Sequence, residues 1–335
     1  MSKFDILIAG AGPAGCAVAL QALARGYSVA LCEAPRARTP LHLGEIARPG
    51  EFTAGGAYSI ESESFVLWSG PGIGVAWSNP SAQIDKHAFN ENLRRQAIRA
   101  GAQYLQETRV LSLERNGGRW RIDTNTGPID SGWIADATGR VAAIARRLGA
   151  RRIAFDRLTA TTVTYPLSGR PTQHLVEAAE NGWWFCARHP ALGTVGTYFT
   201  DNDLRTDFDD ALRQSRCAKA FLPASRPGRP NILAAGTMLL CPVAGEGWFA
   251  VGDAAWSCDP LSSSGIGNAF RSASWALEGM ANYADRVAEE FSAYLQSYQS
   301  VYRSAARTGE FWRRRACLAH STEPRPSGSG CFHSD

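Results

Sequence analysis

The first residues whose spacing could do chemistry are three glycines, in the run GAGPAG at residues 10–15. They lie between a short apolar run and a segment of helical composition. In that context Gly10 permits a tight turn, Gly12 lets the backbone approach a pyrophosphate, and Gly15 lets the helix pack close to the sheet. Glu33 follows 18 residues after Gly15, where a carboxylate can accept hydrogen bonds from ribose hydroxyls. The motif predicts a bound dinucleotide.

A second motif decides between the two common dinucleotides. The run WFAVGDAA at residues 248–255 predicts a strand that enters a turn at Gly252 and Asp253. It is similar to the second fingerprint of glutathione-reductase-type flavoproteins, in which the aspartate hydrogen-bonds the ribityl chain of FAD. Its distance of about 240 residues from the first motif suits a cofactor domain assembled from both ends of the chain. The pair of motifs therefore predicts FAD.

Two further segments complete the predicted cofactor site. Residues 259–268 place proline, serines and glycine before a helix, whose N–H groups can point at the pyrimidine end of a flavin. Ser262 or Ser263 could equally be an ordinary cap of that helix. Residues 134–140 resemble the loop that approaches the FAD pyrophosphate in this superfamily. The residues predicted to contact FAD are Gly10, Gly12, Pro13, Ala14, Gly15, Glu33, Ala34, Gly44, Asp136, Gly139, Gly252, Asp253, Pro260, Ser263, Ser264, Gly265 and Ile266.

The substrate side offers four candidate catalytic residues, Glu45, Trp184, His189 and Tyr198. The last three lie on a predicted sheet or at its edge. Trp183 and Trp184 are adjacent, so the alternation of a strand sends one to each face, and one of them can line a pocket. Glu45 has two open roles, as an acid or base and as a hydrogen-bonding support of the pocket. The eight cysteines form no CxxC pair, so no metal site is predicted.

The elements around these residues predict an α/β fold. We expect a Rossmann-like FAD domain of the glutathione-reductase type, an inserted antiparallel β-sheet substrate domain and C-terminal helices. Helices are predicted at residues 87–101, 264–283 and 288–319. The predicted parts are FAD-binding residues 1–150 with a loop-rich excursion at 36–85, substrate domain 151–230, FAD-binding residues 231–287, C-terminal helical segment 288–320 and disordered tail 321–335.

Composition excludes several classes of function. The net charge of +4 is small for 335 residues, and no basic run is interleaved with aromatic residues, so nucleic acid is not an expected partner. The sequence contains no run of 18 or more apolar residues, which is the length that a membrane-spanning helix needs. The scattered cysteines, and an N-terminus that enters a strand directly, predict a cytoplasmic protein without a signal peptide.

Several segments together resemble one group of flavoproteins. The chain is similar to the tryptophan-halogenase-like flavoproteins, specifically the branch that matures tryptophylquinone cofactors in amine dehydrogenases and oxidases. The resemblance covers nearly all of residues 4–315. The segments that carry it are residues 247–268, the DATGR loop at 136–140, residues 177–186, TDND at 200–203, Gly44-Glu45, and FWRR at 311–314.

The resemblance implies an enzyme in which reduced flavin and oxygen form a C4a-hydroperoxide. It implies FAD-dependent monooxygenation of an aromatic substrate, with an indole or tryptophan-like ring, free or within a peptide, as the first expectation. It also implies a separate flavin reductase as a partner. Three alternatives stay open: a flavin-dependent halogenase, a reductase or dehydrogenase of a small molecule, and a non-catalytic FAD-binding maturation factor.

The lysines favour hydroxylation over halogenation. In the halogenases that the chain resembles, a lysine captures or guides hypohalous acid. Lysine occurs at only three positions here, Lys3, Lys86 and Lys219, and none belongs to a motif that would place it over the flavin. We therefore expect hydroxylation.

Overall fold

The structure is a computed structural model that describes residues 2–35, 45–47, 59–68, 81–166, 171–190, 192–224 and 228–317. Of residues 45–47, 59–63 and 81–82 it describes only the main chain. The helices are α1 (Pro13–Ala24), α2 (Lys86–Arg99), α3 (Ala143–Arg147), α4 (Phe208–Gln214), α5 (Ala218–Phe221), α6 (Gly265–Glu278), α7 (Tyr283–Ser304) and α8 (Glu310–Ala316). The strands are β1 (Ser2–Ala9), β2 (Val29–Cys32), β3 (Glu45–Ala47), β4 (Ser59–Leu67), β5 (Ser81–Ile84), β6 (Gln103–Leu105), β7 (Val110–Asn116), β8 (Arg119–Thr124), β9 (Gly127–Asp136), β10 (Arg151–Ala154), β11 (Leu158–Tyr165), β12 (Gln173–Ala179), β13 (Gly182–His189), β14 (Gly193–Asp201), β15 (Asn231–Ala234), β16 (Met238–Cys241), β17 (Ala244–Gly245), β18 (Trp248–Ala250) and β19 (Trp256–Ser257).

The first sheet has a parallel centre built from both ends of the chain. Its strand order is β17-β18-β9-β1-β2-β6, with β8 and β7 continuing from β9 as an antiparallel extension. The pairs β1–β2, β1–β9, β9–β18 and β2–β6 are parallel. Strand β1 lies near the centre of the sheet, and its apolar residues are buried there. Helix α1 packs against both α2 and α6. The predicted Rossmann-like sheet is confirmed, and parallel strands buried in this way are typical of α/β proteins.

The second sheet carries the predicted substrate side. Its order is β15-β11-β14-β13-β12-β4-β5-β3, and its pairs are antiparallel except for β4 with β12. One face packs against the aromatic residues of α7 and α8, and the other packs against α4 and α5. A small antiparallel sheet, β10-β16-β19, lies in the connections between the two large sheets. The predicted fold class, an α/β protein with a second antiparallel sheet and C-terminal helices, is confirmed.

Strand pairing differs from the sequence prediction at two places. The segment predicted as a loop-rich excursion, residues 36–85, contains β3, β4 and β5, and β4 pairs with β12 of the second sheet. The sequence of β4, SIESESFVL, alternates serine and glutamate, so it lacks the apolar run that marks a buried strand. Strand β15 begins after the predicted boundary at residue 230 but pairs with β11.

The predicted C-terminal helices are wrong in their boundaries. Helix α6 ends at Glu278, and the helix predicted for residues 288–319 is two helices, α7 and α8, separated at residues 305–309. Gly279 is the C-cap residue of α6 and Gly309 is the N-cap residue of α8, positions that suit glycine because it disfavours a helix interior. Residues 318–320 and the predicted tail at 321–335 lie outside the described residues. Among the helices that the structure describes, none is both long and apolar enough to cross a membrane.

Candidate active site

The glycine turn after β1 has the geometry that its sequence predicts. Gly10 has a φ of +109°, and a Cβ there would lie 2.3 Å from the carbonyl oxygen of Ala137. A Cβ on Gly15 would lie 1.8 Å from the oxygen of Gly10, so only glycine lets α1 approach the turn. A Cβ on Gly12 would meet no atom within 4 Å. The main chain at Gly12 therefore faces open space, where a pyrophosphate can approach it.

Helix α1 begins at this turn without a cap from a side chain. Its first turn holds no acidic residue, and Gly12 supplies no side-chain hydrogen bond. The uncapped N–H groups and the positive end of the helix dipole favour a bound anion. Glu33 lies at the end of β2, and its Oε2 accepts a hydrogen bond of 2.6 Å from the Ala11 N–H. The carboxylate thus fixes the turn as well as lining the cleft beside it.

A cleft of about 620 Å³ runs between the glycine turn and the start of α6. This volume is in the range of cofactor sites. Ten of the residues predicted to contact FAD line it: Gly10, Gly12, Pro13, Ala14, Glu33, Ala34, Gly139, Asp253, Gly265 and Ile266.

Asp136 does not line the cleft and instead fixes the loop that does. The carboxylate is fully buried, and its Oδ1 accepts hydrogen bonds from the N–H and hydroxyl of Thr138 at 2.9 and 2.6 Å. Its Oδ2 accepts from the N–H groups of Ile144 and Ala145, at the start of α3. All four bonds lie within the chain, so the geometry gives Asp136 a positioning role toward Thr138 and its neighbour Gly139.

The Gly-Asp turn lies beside α1 and borders the same cleft. Gly252 has a φ of +57°, and a Cβ there would lie 2.7 Å from the Cβ of Ala14, so this glycine lets the turn pack against α1. Asp253 forms an ion pair with Arg140, whose Nε lies 3.5 Å from its Oδ2. Asp253 is half-exposed toward the cleft and suits a hydrogen bond to a ribityl hydroxyl.

The loop before α6 borders a second cavity. Pro260, Ser263 and Ser264 line this cavity, and Ser263 has a left-handed φ of +49°. Such a backbone conformation is uncommon for a residue with a side chain and is concentrated at functional sites. The capping position of α6 is Ser264, which makes no side-chain hydrogen bond to the helix. Neither Ser262 nor Ser263 therefore caps α6, and its first N–H groups are uncapped by side chains.

The second cavity, of about 310 Å³, has an aromatic wall on the second sheet. Trp183, Phe185 and Phe199 contribute to that wall, and the indole of Trp183 stacks on Phe199 with ring centroids 4.0 Å apart. Lys86, Asp253 and Gly265 line both the cleft and this cavity. The two spaces therefore adjoin at the start of α6. We call the second space the aromatic cavity.

The predicted catalytic residues Trp184 and Tyr198 are corrected by this geometry, because both lie on the opposite face of the sheet. There they contact each other, and Trp184 also contacts Phe208 of α4. The alternation of β13 was predicted, but Trp183 is the residue that lines the cavity. His189 lies at the end of β13, paired with Gly193 and outside the cavity lining, and burial lowers its pKa.

Two predicted site residues are outside this description. Gly44 lies outside the described residues, and of Glu45 only the main chain, in β3, is described. Their predicted roles stay predictions.

Several lining residues were missed by the sequence prediction. Arg140 belongs to the DATGR loop but was not predicted to contact a cofactor, and Lys86 was placed only at the start of a helix. Phe185 shares the face of Trp183 by alternation along β13, which is the signal that could have identified it, and Phe199 shares that face because it pairs with Trp183 across β13 and β14. Lys86 carried no such signal, because its place depends on how the start of α2 lies relative to the two spaces.

The residues present fit FAD. The open face of Gly12 and the uncapped start of α1 suit a pyrophosphate, Glu33 suits a ribose, and Asp253 suits a ribityl chain. The start of α6, which borders both spaces, suits the electron-accepting end of a flavin.

Comparisons with known proteins agree with this fit. LodB of Marinomonas mediterranea is named as an FAD-dependent oxidoreductase. It is 23% identical to this chain over an alignment of 376 positions, and the alignment covers 96% of this chain and all of LodB. Among solved structures, the peptidyl tryptophan dihydroxylase QhpG has a TM-score of 0.79 at 22% identity, covering 94% of this chain and 79% of QhpG. The flavin-dependent halogenase CmlS has a TM-score of 0.75 at 20% identity, covering 94% of this chain and 68% of CmlS.

A family profile covers the centre of the chain. The profile described as FAD dependent oxidoreductase (DAO) matches residues 59–253, which is more than half of the sequence. The chain therefore belongs to the FAD dependent oxidoreductase family, and it is an enzyme that uses FAD.

Proposed function

We propose that the protein is a monooxygenase that hydroxylates an aromatic ring of the indole type, on a small molecule or on a tryptophan-bearing peptide. The observation that carries this proposal is the aromatic cavity, which adjoins the cofactor cleft at Gly265 and is walled by Trp183, Phe185 and Phe199. Flat aromatic side chains of this kind hold a flat aromatic substrate through stacked or edge contacts. The similarity to QhpG, described as a peptidyl tryptophan dihydroxylase, supports the same substrate class.

The chain's own residues have distinct tasks in such a reaction. FAD, when bound, supplies the electrons that activate oxygen. The start of α1 would hold the pyrophosphate of the cofactor, Asp253 its ribityl chain, and the start of α6 its flavin end. The aromatic wall orients the substrate ring toward the cofactor and keeps water away from the reacting atoms, which raises the effective concentration of the reactants.

The experiment is an anaerobic reduction of the FAD-loaded protein, followed by oxygen and a tryptophan-bearing peptide or free tryptophan. We expect a product whose mass has increased by the mass of one or two oxygen atoms. When isotopically labelled oxygen gas is supplied, the label should appear in that product. Oxygen consumption that yields only hydrogen peroxide with every aromatic substrate would contradict the proposal. The Gly12→Val variant, which should not bind FAD, is the control for oxidation by free reduced flavin.

Halogenation is the second candidate, and one observation favours it. Lys86 lines both the cleft and the aromatic cavity, although its sequence position gave no reason to place it there. A lysine therefore borders the predicted flavin site, and the scarcity of lysine in the sequence no longer excludes halogenation. Product analysis in the presence of bromide separates the two reactions, since only halogenation incorporates bromine.

We further propose that a separate reductase supplies the electrons. The sequence holds a single complete GxGxxG motif, and the predicted FAD site uses it. NADPH alone should therefore bleach the bound flavin slowly under anaerobic conditions, and an added flavin reductase should accelerate the bleaching. Fast bleaching by NADPH without a partner would overturn this part of the proposal.

A further inference from the structure

Three buried side chains connect the wall of the aromatic cavity to helix α7. The indole N–H of Trp183 donates a hydrogen bond of 3.0 Å to the phenol oxygen of Tyr302. The Tyr302 hydroxyl in turn donates a bond of 2.8 Å to Oδ2 of Asp259. Each of the three residues is at most 2% exposed, and Trp183 and Asp259 also line the cavity. A continuous hydrogen-bonded path thus leaves the cavity at Trp183.

Beyond Tyr302 the path continues as ring contacts toward the surface. The ring centroid of Trp312 lies 5.7 Å from that of Tyr302. The ring of Trp68 lies 5.4 Å from Trp312 and 5.9 Å from Tyr302. Trp68 is only half-buried, and its indole N–H donates to the carbonyl of Val301. Four rings, Trp183, Tyr302, Trp312 and Trp68, therefore lead from the cavity to a partly exposed indole.

Tryptophan and tyrosine have the side-chain rings that give up an electron most readily. A tyrosine releases its phenol proton as it loses the electron, so a base within hydrogen-bond distance makes the oxidation easier. Asp259 is that base for Tyr302. Burial raises the pKa of Asp259 to about 6, yet this is far below the pKa of a phenol, so the carboxylate is ionised at neutral pH.

We infer that these four rings form an oxidation relay, which carries an oxidising equivalent out of the aromatic cavity to Trp68. Its function is to protect the cavity when oxygen is reduced and no substrate is present. The inference goes beyond the proposed function, because it holds for any reaction at this site that generates a one-electron oxidant. The oxidants meant are a light-excited flavin and the hydroxyl radical that forms when hydrogen peroxide, the product of uncoupled oxygen reduction, takes up one further electron and releases hydroxide.

The electrons and protons of the relay balance. The oxidant in the cavity takes one electron from Trp183. Tyr302 then gives one electron to Trp183 while its phenol proton moves to Asp259. An electron from Trp312 restores Tyr302 as the proton returns from Asp259, and Trp68 restores Trp312. An external one-electron donor, such as ascorbate or a thiol, finally restores Trp68, so the net transfer is one electron from that donor to the oxidant.

The test uses the FAD-loaded protein, a blue-light pulse without substrate, and detection of tryptophan and tyrosine radicals by transient absorption and electron paramagnetic resonance. The decisive variant is Tyr302→Phe, which keeps the ring but removes the proton-coupled step. Its matched control is Tyr283→Phe, because Tyr283 is also a fully buried tyrosine of α7 but donates to the Ala250 carbonyl and contacts Phe249. Trp68→Phe is a second variant, which removes the partly exposed end of the relay, whereas Trp312→Phe would leave the direct contact between Trp68 and Tyr302 in place.

We expect a long-lived tryptophan radical in the wild type and in Tyr283→Phe that ascorbate removes. In Tyr302→Phe and in Trp68→Phe the radical should decay faster by an order of magnitude or more, because it stays closer to the cavity and the reduced flavin returns the electron over a shorter distance. Peptide mapping after prolonged illumination should find oxygenated Trp68 and Trp312 in the wild type, and oxygenated Trp183 in Tyr302→Phe.

Two results would overturn the relay. One is an equal radical lifetime in the wild type and in both relay variants, each shown to be folded by its circular dichroism spectrum. The other is oxidation confined to Trp183 in the wild type. Neither readout requires a hydroxylated product, so the relay can fail while the proposed hydroxylation stands, and the reverse.

Discussion

The guanidinium of Arg140 and the carboxylate of Asp253 meet where the cofactor cleft joins the aromatic cavity, with Nε 3.5 Å from Oδ2. Arg140 is fixed from the other side, since its two terminal nitrogens donate to the carbonyls of Gly236 and Cys258 at 2.6 and 2.7 Å. Arg140 therefore links the Gly-Asp turn and the DATGR loop to the segments that follow β15 and β19. Asp253 stays half-exposed, which leaves its carboxylate accessible from the cleft.

Asp253→Ala should weaken FAD binding. The loss of hydrogen bonds from a carboxylate to the ribityl chain corresponds to about 1–3 kcal/mol, or roughly tenfold to a hundredfold in the dissociation constant. Titration of the apoprotein with FAD, followed by flavin fluorescence, measures the change. Glu246→Ala is the control, because Glu246 also pairs with an arginine, Arg115, but does not line the cleft. Equal affinities in the wild type and Asp253→Ala would contradict the assigned role.

Gly12 and Gly15 should respond differently to substitution. Gly12→Val should leave the stability of the apoprotein almost unchanged, since a Cβ there meets no atom within 4 Å, but it should abolish FAD binding. Gly15→Ala should lower the free energy of unfolding by about 1–3 kcal/mol, because its Cβ would overlap the Gly10 carbonyl. Thermal denaturation with and without FAD separates the two effects. A Gly12→Val protein that binds FAD normally would disprove the pyrophosphate assignment.

The cofactor cleft was largely predictable from the sequence because its chemistry depends on local backbone geometry. A tight turn, a close helix approach and an open main chain each require glycine, and they occur at fixed spacing at Gly10, Gly12 and Gly15. Asp136 shows the limit of such reasoning. Its place in the motif was clear, but only the structure shows that its four hydrogen bonds go to Thr138 and to the start of α3.

The substrate side was less predictable because its geometry depends on long-range pairing. Alternation along β13 places Trp183 and Trp184 on opposite faces, but the face that meets the cofactor cleft depends on how the second sheet packs. The place of Lys86 in both spaces depends likewise on contacts between distant elements. The strand β4 was missed because its serine and glutamate residues resemble a loop.

Trp183→Phe and Trp184→Phe should separate substrate binding from stability. Trp183 lines the aromatic cavity, so its substitution should raise KM and increase the fraction of oxygen released as hydrogen peroxide. Trp184 is buried on the other face against Tyr198 and Phe208, so its substitution should lower the melting temperature and leave KM unchanged. Steady-state kinetics with peroxide detection, together with calorimetry, test both. A larger KM effect from Trp184→Phe would reverse the assignment of the two faces.

The stability of the protein should depend on the ionisation of Asp259. Its folded pKa, about 6, is raised above the value of 3.8 for an unperturbed carboxyl, chiefly by burial and then by Asp156. The buried charge therefore destabilises the folded state above pH 6, and this cost is lost as the pH falls toward 4. The other charged or titratable groups that interact with Asp259 are Arg315, Tyr294, Tyr298 and Tyr302.

Asp259→Asn isolates this effect, since asparagine stays neutral and can still accept a hydrogen bond from Tyr302. Between about pH 8 and about pH 5 the wild type should gain about 1 kcal/mol in free energy of unfolding relative to Asp259→Asn. Urea denaturation at the two pH values measures the difference. A difference between the two proteins that does not change with pH would show that Asp259 is not the titrating group.

Lys86 should distinguish hydroxylation from halogenation. We expect the wild type to add oxygen to an aromatic substrate whether bromide is present or not, because the aromatic cavity can orient a ring without a path for hypohalous acid. The Lys86→Met variant keeps most of the side-chain length and removes the charge. If the reaction is hydroxylation, this variant should still form the oxygenated product, with a reduced rate at most.

Lys219→Met is the control, since Lys219 lines neither of the two spaces. Mass spectrometry of products formed in bromide buffer measures the outcome. A brominated product from the wild type that disappears in Lys86→Met, but persists in Lys219→Met, would assign the protein as a halogenase and give Lys86 the part that a lysine has in those enzymes.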